Sequence, residues 1–194
     1  PSEMYRKRNE QFLLSKLTES NYGQGNNPHH YYVDGSPTIG DVCTQSCATE
    51  KDWQTILVGG LRAGGQGIYA LNITDPKTFN ESNASSLVMW EFTDKNDVDL
   101  GYTFSRPTIS KVCTQRDPTS KSNPKACAAG RWVVIFGNGY NSSEADGAES
   151  SADQAVLYIV DALDGTLLYK FSTKTGSGLS SPAAVDIDDD DYVD

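Results

Sequence analysis

The sequence predicts an all-β fold, a partial β-propeller with two four-stranded blades and the start of a third. Three observations carry this. Three segments open alike, at Pro37, Pro107 and Pro182, 70 and 75 residues apart. After the first two openings the chain runs through the same order of short stretches rich in β-branched and aromatic residues, punctuated by Gly, Pro and Asp. The four cysteines fall at matching places in the repeat. Four-stranded units repeated along a chain describe propeller blades.

Residues 1–30 differ from the rest and form a lead-in. Residues 6–17 are compatible with a short helix, and 21–28 form a Gly/Asn linker. Residues 31–194 read as the N-terminal part of a propeller domain that continues beyond the chain end, because propellers close with about 4–8 blades. Within each blade the first strand follows the proline. The second begins at Trp53 or Trp132, the third spans 67–72 or 156–161, and the fourth 89–93 or 169–173. Asp164-Gly165 is a hairpin signal between the last two strands of the second blade. Cys43 and Cys113 each lie six residues after their proline. The close pairs Cys43/Cys47 and Cys113/Cys127 therefore read as disulfides stapling the loop between strands one and two. Four cysteines permit three connectivities, and neither pair has the spacing of a zinc ribbon. Disulfides imply an oxidising compartment.

The net charge of −10 and a pI near 4.6 argue against nucleic acid, whose binding rests on Lys and Arg against phosphate. Mean hydropathy is −0.50. No apolar run approaches the ~18 residues of a membrane helix, so no transmembrane segment is expected. The chain opens at Pro1 without a signal segment and reads as an interior piece of a longer or processed protein.

The last nine residues carry the clearest chemistry. Asp186, Asp188, Asp190 and Asp194 occupy positions 1, 3, 5 and 9, and Tyr192, at position 7, offers its backbone carbonyl. This alternation of oxygen ligand and spacer can wrap a Ca²⁺ ion, which takes about 6–8 oxygens. Four carboxylates this close repel one another without a cation. Position 6, usually Gly for the sharp turn, is Asp191, a residue that tolerates a left-handed backbone better than most.

Three weaker patterns have plainer readings. Gly65-Gln66-Gly67-Ile68-Tyr69-Ala70 satisfies G-x-G-x-x-A, but it leads into a strand instead of a helix and reads as a glycine hairpin. His29-His30 beside two tyrosines reads as packing or capping. Asp94, Asn96, Asp97 and Asp99 are irregularly spaced and read as a polar loop between blades.

Taken together, residues 30–42, 64–71, 99–107 and the terminal Asp loop resemble the propeller domain of the type IV pilus tip-associated adhesins, the PilC/PilY family. The likeness spans roughly residues 28–194. It implies a modified propeller at the C-terminal end of a large secreted bacterial protein, exported through the periplasm to the cell surface and pilus tip. It implies no enzyme, but a role in pilus biogenesis, surface adhesion and twitching motility. The implied partners are minor pilins at the tip, with host or abiotic surfaces engaged through other regions. The family's calcium loop maps onto Asp186, Asp188, Asp190, Tyr192 and Asp194. A quinoprotein-like propeller dehydrogenase is the alternative from another class, but such enzymes need adjacent cysteines that this chain lacks. An integrin-α-like adhesion propeller shares only the D-x-D-x-D loop.

Overall fold

The computed structural model describes residues 7–8, 11–121, 126–144, 147–152 and 154–193, and of residues 7, 8 and 11–13 the backbone alone. Two four-stranded antiparallel sheets dominate. The first runs in order through β3 (Thr38–Cys43), β4 (Trp53–Gly60), β5 (Gly67–Asn72) and β6 (Val88–Thr93). The second runs through β7 (Thr108–Arg116), β8 (Cys127–Gly137), β9 (Val156–Asp161) and β10 (Leu167–Ser172). Each is a meander, so neighbours in sequence are neighbours in the sheet. The blade strands thus lie where the repeat predicts them, except that β8 begins at Cys127, ahead of the expected Trp132. Asp164-Gly165 turns the chain from β9 to β10, with Gly165 at φ 72°.

Period-two burial specifies the packing, since successive strand residues face opposite sides. Ile56 and Val58 on β4, Ile68 and Ala70 on β5, and Trp90 and Phe92 on β6 are buried on one face. They meet Val134 and Phe136 on β8 and Val156, Tyr158 and Val160 on β9 in one core between the sheets. Phe92, Phe136 and Tyr158 form a three-ring cluster with centroids 5.4–5.8 Å apart. A polar tie crosses the same interface: the Trp90 indole N–H donates to the Ala162 carbonyl at 2.9 Å. A Cβ on Gly165 would sit 2.8 Å from the Trp90 ring, so the turn must be glycine to lie against it. At the start of the first strands, the Thr38 hydroxyl donates to the Pro107 carbonyl at 2.8 Å.

Both disulfides form as expected, Cys43–Cys47 and Cys113–Cys127, with Cα separations of 5.5 and 5.7 Å. Each joins β3 to the β3–β4 loop or β7 to β8, the stapled position in its blade.

One expectation is corrected. The segment 6–17 is not one helix. Among its described residues, β1 (Lys7–Arg8) pairs antiparallel with β2 (Gln11–Phe12), and a 3₁₀ helix covers Leu13–Thr18. The apolar residues Phe12, Leu13, Leu14 and Leu17 cluster at one end, so no helical stripe spans the segment. Residues 182–187 stand where the repeat places the opening of a third blade. They form no strand among the described residues. A strand is defined by its ladder, and among the described residues the bridge after this segment is that of Val193, which pairs parallel with Val112 of β7. His29 packs as expected, its ring between Tyr22 and Tyr31 at 5.9 and 5.0 Å.

Candidate metal centre

The loop after residue 185 curls around one carboxylate. Asp186 accepts backbone N–H groups from Asp189 at 2.8 Å, Asp190 at 3.2 Å and Asp191 at 2.9 Å. Side-chain-to-backbone bonds of this kind let Asp organise a turn without a sheet or helix ladder. Two residues take left-handed backbone to complete the curl, Asp189 at φ 63° and Asp191 at φ 68°. The second is the position that calcium loops usually give to Gly, so Asp191 adopts the conformation its place demands. Asp189 was not legible from the spacing.

The curl brings Asp186, Asp188 and Asp190 together, with one carboxylate oxygen from each within 4.8 Å of the others. Asp190 Oδ1 accepts the Tyr192 N–H at 3.1 Å, whereas its Oδ2 is buried with no hydrogen-bond partner among the described residues. A buried carboxylate oxygen without a donor is costly unless a cation faces it. Hard, anionic oxygens at this spacing are what Ca²⁺ selects, so the residues present fit that ion. Asp194 lies outside the described residues. Tyr192 lies two residues beyond Asp190, held by the bond from its N–H to the Asp190 carboxylate.

The second sheet anchors the end of the loop. The Val193 N–H donates to the Lys111 carbonyl on β7 at 2.8 Å. The Tyr192 ring lies under the Lys111 ammonium, 4.4 Å from nitrogen to centroid. It also covers Gly130 on β8, where an added Cβ would come within 2.0 Å of Tyr192 Cε1. Gly130 pairs in register with Cys113, so the loop docks beside the disulfide-stapled end of this sheet. Sequence reasoning missed Lys111 and Gly130. The small run Ala128-Ala129-Gly130 in an otherwise bulky strand was the one signal available.

The second acidic group has a different answer. Lys170 on β10 places its ammonium 2.8 Å from Asp97 and 2.7 Å from Asp99. The Tyr158 hydroxyl donates to Asp97 at 2.9 Å, and the Ser150 hydroxyl donates to Asp99. Burial by itself would lower Lys170, but its bonds to Asp97 and Asp99 outweigh burial and hold the ammonium above its ordinary range. Burial would likewise raise Asp99, yet bonds from Lys170 and Ser150 hold that carboxyl below its usual range. Burial first, then the charge and hydrogen bond of Asp97, pushes the Tyr158 phenol far above the normal tyrosine range. This is an internal ion-pair network tying the loop between the sheets to β10.

Residues 7–194 match the PilY1 beta-propeller domain family. A type IV pilus biogenesis factor PilY1 homolog from Xylella fastidiosa is 36% identical over 179 residues, covering 86% of this chain and 10% of that protein. The type IV pilus biogenesis factor PilY1 of Pseudomonas aeruginosa strain PAO1 is 35% identical, covering 93% of this chain and 13% of that protein. The crystal structure of the Pseudomonas aeruginosa PilY1 C-terminal domain superposes with a TM-score of 0.58 at 33% identity, over 93% of this chain and 29% of that one. The chain thus spans about an eighth or less of the curated relatives' length.

Proposed function

The chain belongs to the PilY1 β-propeller family, and from that premise we propose that it is a calcium-binding propeller segment of a protein that supports type IV pilus biogenesis, surface adhesion and twitching motility at the pilus tip. The observation that carries the calcium reading is the Oδ2 of Asp190, buried without a hydrogen-bond partner among the described residues, within a cluster of three carboxylates. Asp186, Asp188 and Asp190 would hold the ion with their side chains, Tyr192 with its carbonyl, and Asp194 with the last carboxylate. The ion supplies positive charge that neutralises mutually repelling carboxylates. Tyr192 and Val193 couple the order of that loop to β7 and β8, so the loop adopts one presentation on the blade end. A partner that binds this presentation better than others shifts the population toward it. Minor pilins are the partners this reading names, with host or abiotic surfaces engaged by other regions of the full protein. No step requires an enzyme.

Calorimetric titration of the full chain and its Asp190→Asn variant with Ca²⁺ tests the reading. Loss of one charged ligand should weaken binding on the order of tenfold or more. Asp194→Ala in the complete protein should act in the same direction and lower pilus number or twitching without lowering expression. Equal affinities, or no binding by wild type, would leave the segment a solvated acidic turn.

A further inference from the structure

Away from the acidic loop, a small concavity of about 170 Å³ opens where the chain after β4 and the segment before β7 meet residues 35 and 36. Its lining includes Arg62, Arg106, Ser36, Phe104 and Ser105. In a chain of net charge −10, two guanidiniums in one small pocket are unexpected. Among the described residues neither forms an ion pair with an acid.

Each side chain is held in place by something other than a carboxylate. The Arg62 guanidinium lies over the Phe104 ring, with Cζ 4.9 Å from its centroid, a contact that uses none of its N–H donors. Arg106 donates through Nε to the Thr38 hydroxyl at 3.4 Å, and its backbone N–H donates to Ser181 Oγ at 2.8 Å. Ser105 is buried, and its Oγ accepts the Gly137 N–H at 2.8 Å. Its hydroxyl proton has no acceptor among the described residues. Arg62 also sits at φ 50°, a left-handed backbone that glycine would adopt without steric cost. A strained non-glycine residue is a reason to look for a role of its side chain. Beyond Phe104 the aromatic surface continues to Tyr140, 5.2 Å away, and on to Tyr102, stacked on Tyr140 at 5.6 Å.

We propose that this pocket binds a carboxylate. The Arg62 and Arg106 forks and the Ser105 hydroxyl supply the donors, and the Phe104–Tyr140 surface takes an apolar group beside the acid. Guanidinium forks match carboxylate and phosphate alike; the adjoining aromatic shelf selects an acid carried on an apolar body over a bare inorganic ion. The carboxylate reaches the site either on a free small acid or on a peptide C-terminus.

The test is calorimetric titration of the full chain at fixed ionic strength with four probes: acetate, inorganic phosphate, and acetyl-Gly-Gly-Phe as its free acid and as its amide. The free-acid peptide is expected to bind at least tenfold more tightly than its amide, and phosphate to bind no better than acetate. Acetate binding without peptide binding would also support the site, with a free small acid as its ligand. Arg106→Gln should weaken the best carboxylate tenfold or more. Arg62→Gly should do the same while its melting temperature holds or rises, because glycine relieves the left-handed backbone. That split separates a binding role from a structural one. Binding of the acid and amide peptides with equal affinity, no binding of either acetate or the free-acid peptide, phosphate binding in preference to both acids, or wild-type affinity in both arginine variants would each overturn the proposal.

Discussion

Replacing Gly130 by alanine puts one methyl group where the Tyr192 ring lies. The added Cβ would stand 2.0 Å from Cε1 and 3.0 Å from Cδ1 and Cζ, so the ring must leave β8. Two interactions go with it. The Lys111 ammonium over the ring contributes about 0.5–1 kcal/mol at an exposed site, and the Val193–Lys111 backbone bond about 1 kcal/mol. Losing about 1.5–2 kcal/mol of docking reduces the population of the ordered loop. A ligand that needs that conformer then binds more weakly by up to the same factor, roughly ten- to thirtyfold. The blade itself should be untouched, since Gly130 is exposed and its φ is not left-handed. Titration of Gly130→Ala with Ca²⁺ beside the wild type checks the affinity, and hydrogen exchange at the Val193 amide checks the docking. Slow exchange and unchanged affinity in the variant would refute the idea that blade docking orders the loop. Fast exchange with unchanged affinity would detach the loop's order from ion binding.

Three other outcomes follow from the same structure. Lys170→Met should cost about 2 kcal/mol, a value reduced from that of fully buried pairs because the ammonium is partly exposed; differential scanning calorimetry should show a fall of roughly 4–8 °C. Melting temperature against pH should fall at both ends. The depressed Asp99 contributes stability above its ordinary value of 3.8, which is lost as pH drops through its lower folded value. The raised Lys170 and Tyr158 contribute below their ordinary 10.5 and 10.0, and this is lost as pH climbs through their higher folded values. Removing Cys113–Cys127 by paired alanines should cost about 3 kcal/mol, against about 2 kcal/mol for Cys43–Cys47, because the longer loop loses more closure entropy in the unfolded chain; chemical denaturation of the two double variants would reverse this order if native strain dominated.

The blades were legible in the sequence because they rest on local signals. Alternating apolar residues such as Ile56 and Val58 specify both a strand and its buried face, and Asp164-Gly165 marks its own turn. The three described aspartates of the loop were legible for the same reason: Asp186, Asp188 and Asp190 lie within five residues, and the backbone that gathers them is bonded to Asp186 itself. What pairs with what across the fold was not legible. Lys170 meets Asp97 across 73 residues, Tyr192 finds its glycine on β8, and Arg62 and Arg106 converge from different loops. Residues 182–187 match the repeat's opening but form no strand here, because a strand also needs a ladder partner beside it. Periodicity reports the conformation of a segment and the side it buries. Only the packing of one sheet on the other decides which distant charge, ring or gap a side chain meets, because those partners are set by distance in space and leave no spacing in the chain.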